Sequence, residues 1–138
     1  MLPLLIAGGL LATQQVPLAF DGLLRQPVEA TLHGETIQCE GVSLIELLRH
    51  AGAMDEAPLK GADLSRVVVL TARDDYRIVF TLAELEPTLG ARRVYVVDRC
   101  DDKPLDADTG PLRVLVPDDQ RGARSLRQLD AIRVEALP

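Results

Sequence analysis

The stretch from Val28 to Gly52, VEATLHGETIQCEGVSLIELLRHAG, decides the fold class. Its first part, Val28-Glu29-Ala30-Thr31-Leu32, alternates apolar and polar residues with the period of two that a half-buried strand requires. His33-Gly34-Glu35 follows as a turn, and Thr36 to Cys39 returns as a second short strand. After Gly41-Val42 the period changes. Leu44, Ile45, Leu47, Leu48 and Ala51 recur at the spacing of one helical face. Ser43 stands before them with Glu46 three residues on, the spacing of a capping box, and Gly52 suits a left-handed helix end. A hairpin that runs directly into a helix, with no crossover between parallel strands, belongs to an α+β protein.

The flanking sequence agrees with that class. Pro58 to Asp63 reads as a linker, and Arg66 to Thr71 is a largely apolar run suited to a strand covered on both faces. Arg73-Asp74-Asp75 is a polar turn, after which Tyr76, Ile78 and Phe80 alternate with Arg77, Val79 and Thr81. Thr81 and Glu84 repeat the capping spacing, which predicts a short helical turn over Leu82 to Glu86, stopped by Pro87. Strands are expected at Arg93–Asp98, Leu112–Val116 and Ile132–Val134, with a turn over Asp101 to Pro104 and a brief helical piece from Ser125 to Leu129. The expected architecture is one compact α+β domain, residues 21–138, of strands and hairpins with a few short helices.

The chain has 138 residues, 47% of them hydrophobic and 26% charged, which suffices for one core and not for two. With two Phe, two Tyr and no Trp, the core must rest on Leu, Val, Ile and Ala. Few aromatics are left to stack bases, and a net charge of −6 opposes a phosphate backbone, so no nucleic-acid partner is expected.

The opening run from Met1 to Thr13 is apolar and carries no charged side chain. It is short for a membrane span and fits the apolar region of a secretory signal within residues 1–20. That reading makes the protein exported and periplasmic, with no stable membrane span after processing; the alternative is a buried N-terminal strand or helix. Cys39 and Cys100 are the only cysteines. They can pair in an oxidising compartment if their Cα atoms come close, but the expectation is two small apolar fillers.

No complete catalytic set is legible, and no catalytic residue or metal ligand is assigned. Asp74-Asp75 and Asp118-Asp119 fall in turns, Ser43 and Ser125 read as helix caps, and His33 and His50 belong to no metal-ligand spacing. One segment breaks the acidic pattern. Between Gly110 and Arg133 stand Arg113, Arg121, Arg124, Arg127 and Arg133, opposed by Asp118, Asp119 and Asp130. Guanidinium groups match phosphate and carboxylate oxygens, and the backbone at Gly122 allows close approach of an anion. From charge alone, pairing with the chain's own carboxylates is the more ordinary role.

Pattern shifts that balance. Asp102-Lys103-Pro104-Leu105, Gly110-Pro111-Leu112-Arg113-Val114-Leu115-Val116-Pro117 and Gly122-Ala123-Arg124-Ser125-Leu126-Arg127 resemble, in order, the C-terminal motifs of the molybdopterin-binding domain of sulfite-oxidase-type oxidoreductases. Gly41 to Leu48 with Ala51-Gly52, then Asp75-Tyr76 and Phe80 to Glu84, resemble its upstream segments, so the likeness covers most of residues 38–134. It implies that Arg113, Arg124 and Arg127 contact the phosphate of a molybdopterin cofactor. Arg127 stands where the family usually has Lys, and Gln128 replaces a Trp. The family holds molybdenum through one cysteine thiolate followed by Gly-Asn-x-Arg. Here Cys39 takes the place of a Trp instead, and Cys100 lies outside any ligand motif.

The expectation is therefore a minimal relative of that domain without the metal ligand, acting as a non-catalytic module for a small anionic ligand or an envelope protein partner. The alternative is a molybdopterin-dependent oxidoreductase performing two-electron or oxygen-atom transfer. A third reading is a structural envelope protein whose arginines only neutralise its own acids.

Overall fold

A computed structural model describes residues 13–137, and the apolar run expected to act as a leader lies, up to residue 12, outside the described residues. Nine strands, β1 (Thr13–Val16), β2 (Gln26–Leu32), β3 (Glu35–Ser43), β4 (Arg66–Ala72), β5 (Arg77–Thr81), β6 (Tyr95–Cys100), β7 (Lys103–Pro104), β8 (Arg113–Leu115) and β9 (Leu129–Ala136), form two antiparallel sheets. The first has the order β1-β9-β4-β5. In the second, β2-β3-β6 continues on the far side of β6 into both β7 and β8. Among the described residues, two short α-helices, α1 (Leu44–His50) and α2 (Leu82–Leu85), and two 3-10 turns, Gly61–Ser65 and Gly122–Arg124, complete an α+β fold.

Both capping boxes form at their donor side. The Ser43 hydroxyl accepts the Glu46 amide at 3.2 Å, and the Thr81 hydroxyl accepts the Glu84 amide at 3.0 Å. Gly52 follows α1 with φ of 73°, a conformation that costs glycine nothing and an L side chain about 1 kcal/mol. The β4–β5 hairpin has the expected alternation, with Ile78 and Phe80 buried and Val79 half exposed.

The main core lies between the two sheets and α1. Val68, Leu70, Phe80, Ile132 and Val134 come from the first sheet, Val42, Val96 and Val114 from the second, and Leu44, Leu47 and Leu48 from α1. Burying Phe80 entirely contributes most per residue, and Phe80→Ala would cost about 3–5 kcal/mol. The opposite face of the second sheet carries a smaller cluster, Val28, Ala30, Cys39, Val97 and Leu115, with Leu32, Ile37, Tyr95 and Cys100 packed around it. At Gly41 the β3–β6 register shifts, and a Cβ there would collide with the Val96 carbonyl oxygen. Only glycine lets the two strands approach at that bulge.

Several local expectations are corrected. Thr13–Val16 forms a strand paired with β9, with Val16 in the core. The expected linker is partly a 3-10 turn, and Leu59 within it is buried with its amide donated to the Glu86 carboxylate. The helical piece expected over Ser125–Leu129 is instead a 3-10 turn at Gly122–Arg124. Residues 125–129 are drawn out along β8, because Val114 donates its amide to the Leu126 carbonyl and Leu129 donates to that of Leu112.

Cys39 and Cys100 are joined by a disulfide. They sit directly opposite in the β3–β6 ladder, as a pair flanked by the Asp101 amide donating to the Gln38 carbonyl. The expectation of two unbridged apolar fillers is thereby corrected, although Cys39 is indeed buried within the smaller cluster. The bridge closes a sequence separation of 61 residues. Removing that much loop freedom from the unfolded chain stabilises the fold by about 4 kcal/mol in the chain-entropy picture.

Candidate anion-binding site

Arg113 lies in β8 opposite Val97 of β6. Val114 points into the main core, so the alternation of the strand turns Arg113 and Leu115 to the face of the smaller cluster. The segment drawn along β8 has the same logic: Leu126 is buried in the core, and Arg127 beside it faces outward. The two arginines therefore meet at one cavity of about 450 Å³, whose other walls include Leu32, Glu35, Ile37, Thr109 and Ser125.

Arg113 is half-buried, and its Nη2 donates to the Ser125 carbonyl at 3.0 Å. Its Nε is buried without a hydrogen-bond partner. Burial pulls its pKa below the ordinary arginine value, and the nearby Arg127 charge pulls the same way, with Asp106 partly opposing. Asp106 is occupied elsewhere, since one of its oxygens accepts the Asp108 amide and the Thr109 amide and hydroxyl. Neither Arg113 nor Arg127 makes an ion pair among the described residues.

Arg124 is placed differently. Its Nε and Nη2 grip both oxygens of Asp119 at 3.0 and 2.9 Å, and its Nη1 reaches Glu84 at 3.1 Å. The guanidinium carbon stands 4.4 Å from the centroid of the Phe80 ring. Asp119 above all, then Glu84, raises its pKa. Arg124 thus ties the 3-10 turn to α2 and to the core, and is not brought to the cavity with Arg113 and Arg127. Tyr76 holds the same turn from the other side, its hydroxyl donating to the Ala123 carbonyl at 2.7 Å.

The walls contributed by Leu32, Glu35 and Ile37 carried no signal in the local pattern, where they read as ordinary hairpin residues. They arrive because the β2–β3 hairpin, with Leu32 opposite Glu35, reaches the 3-10 turn: a Cβ on Gly122 would stand 3.2 Å from Leu32 Cδ2. That contact joins segments about ninety residues apart.

A second cavity, of about 330 Å³, borders Cys39 with Arg25, Gln38, Glu40, Arg99 and Asp102. Arg25 is fully engaged there, by Asp98 at 2.7 Å and Glu40 at 2.7 Å. The residues present do not fit a thiolate-held molybdenum. The two sulfur atoms are bonded to each other, and a sulfur in a disulfide has no thiolate pair to offer. Among the described residues no three His, Cys, Asp or Glu side chains are grouped as metal ligands, and no helix is long and apolar enough to cross a membrane. What the first cavity can do chemically is hold an anion between two guanidinium groups. Comparison with known proteins gives no match to this chain, either among family models or among curated proteins.

Proposed function

We propose that this protein is a non-catalytic module that binds a small anion in the Arg113–Arg127 cavity. We further propose that it is a minimal relative of the molybdopterin-binding domain of sulfite-oxidase-type oxidoreductases that has lost the metal ligand. The relationship rests on the ordered motifs from Gly41 to Arg127. The binding role rests chiefly on one observation: two arginines share a cavity, one of them half-buried with an unpartnered Nε, and neither makes an ion pair among the described residues, although Glu35 lines the same cavity and Asp106 lies near Arg113. Placing two like charges together with only partial compensation is unfavourable, and groups held so are common where a ligand supplies further counter-charge. The cross-strand disulfide and the apolar N-terminal run together favour an exported protein working in an oxidising compartment.

Calorimetric titration with inorganic phosphate tests the binding role. Saturable binding that weakens with added salt and is lost in Arg113→Gln is expected; heats indistinguishable from dilution would contradict it. Elemental analysis of protein made in a host that synthesises the cofactor tests the loss of the metal. Near-stoichiometric molybdenum would overturn it in favour of an oxidoreductase.

A further inference from the structure

The cavity is not uniformly polar. Arg113 and Arg127 face Thr109 and Ser125 at one part of the lining, whereas Leu32 and Ile37 form another. Those two side chains pack against the apolar cluster of Val28, Ala30, Cys39, Val97 and Leu115, and with Tyr95 and Cys100 are its incompletely covered members. At Leu32 and Ile37 the cluster thus presents apolar surface to the cavity that holds the two arginines. Ile37 stands opposite Ala30 in the β2–β3 ladder, and Leu32 rests against the backbone at Gly122, so this wall is held by two strands and a turn. A volume of about 450 Å³ falls in the range of sites for small organic molecules, about 300–1,000 Å³, and exceeds what an inorganic oxyanion fills.

We propose that the ligand is an amphipathic organic anion: a phosphate or carboxylate head held by Arg113 and Arg127, and an apolar body lying against Leu32 and Ile37. This rests on the anion-binding reading above. The head replaces the missing counter-charge, and the body covers the apolar surface that the smaller cluster leaves facing the cavity. Glu35, exposed at the hairpin turn and lining the same cavity, disfavours a second negative charge on the ligand.

Three probes with a common head separate the contributions: inorganic phosphate, glycerol 3-phosphate with a polar body, and phenyl phosphate with an apolar one. Titrated into the intact protein at one salt concentration, phenyl phosphate is expected to bind at least tenfold more tightly than the other two. In Ile37→Ser that gap closes while the phosphate affinity is kept. Leu32→Ala serves the same purpose if the first variant does not fold. If glycerol 3-phosphate matches phenyl phosphate, the apolar wall is not part of the site; the proposal fails and the anion reading stands. If none of the three binds, the anion reading itself is overturned.

Discussion

Arg113 and Arg127 line the same cavity with no carboxylate paired to either guanidinium among the described residues, whereas Arg124, between them in sequence, is held by two. The difference follows from side-chain direction. Arg113 lies in β8 and Arg127 in the bend that runs beside it, and both line the cavity, while the 3-10 turn brings Arg124 to Asp119, Glu84 and the Phe80 ring. Three arginines of one motif-rich segment therefore divide into a pair that faces one cavity and one that fastens the loop carrying Arg127.

Arg113→Gln is expected to remove anion binding and leave stability within about 1 kcal/mol of the wild type. The substitution takes away a half-buried charge and a like-charge contact, which offsets the lost bond to the Ser125 carbonyl. Urea unfolding with and without phosphate checks both halves, because only the wild type should gain stability from the anion.

Arg124→Ala should do the opposite. Losing the grip on Asp119, the bond to Glu84 and the cover of Phe80 is expected to cost about 2–3 kcal/mol. Phosphate affinity measured on the folded variant should change less than threefold, since the side chain does not reach the cavity.

Replacing both cysteines by alanine is expected to lower the unfolding free energy by about 4 kcal/mol, the loop-entropy value for this separation. Thiol reductant should produce a similar loss in the wild type and none in the double variant. Chemical denaturation in the four conditions reads this directly.

Glu86 gives the fold an acid-sensitive element. It is almost completely buried, and hydrogen bonds from the Thr88 hydroxyl at 2.6 Å, the Leu59 amide at 2.9 Å and the Thr88 amide hold its carboxyl below the ordinary value of 4.5. A depressed native pKa contributes stability that is complete above the unfolded value and is lost as pH falls through the native one. Wild-type stability should therefore decline below about pH 4.5, and Glu86→Gln should flatten part of that decline, seen as denaturation midpoints between pH 7 and pH 3.

What was legible in the sequence was local. Ser43 with Glu46, and Thr81 with Glu84, are cap pairs whose partners lie three residues apart, so spacing alone identifies them. The alternation of Tyr76 to Thr81 and the apolar run of β4 likewise depend on near neighbours. The pairing of Cys39 with Cys100 depends on the β3–β6 register, which a bulge at Gly41 shifts, and no local pattern records it. The division of the arginines is non-local in the same way: Glu84 lies forty residues from Arg124, and Leu32 reaches Gly122 only through the folded hairpin. Thr13–Val16, Thr-Gln-Gln-Val, is too short and too polar to carry a strand pattern of its own, and it is a strand only through its pairing with the distant β9.

The most direct test of the Arg113–Arg127 site is a phosphate titration of the ¹⁵N-labelled protein, following the arginine side-chain Nε–Hε signals. Saturable shifts at Arg113 and Arg127 with one common dissociation constant, and little change at Arg124, are the predicted result. Absence of a saturable shift at Arg113, or an equal response from Arg124, would contradict the account.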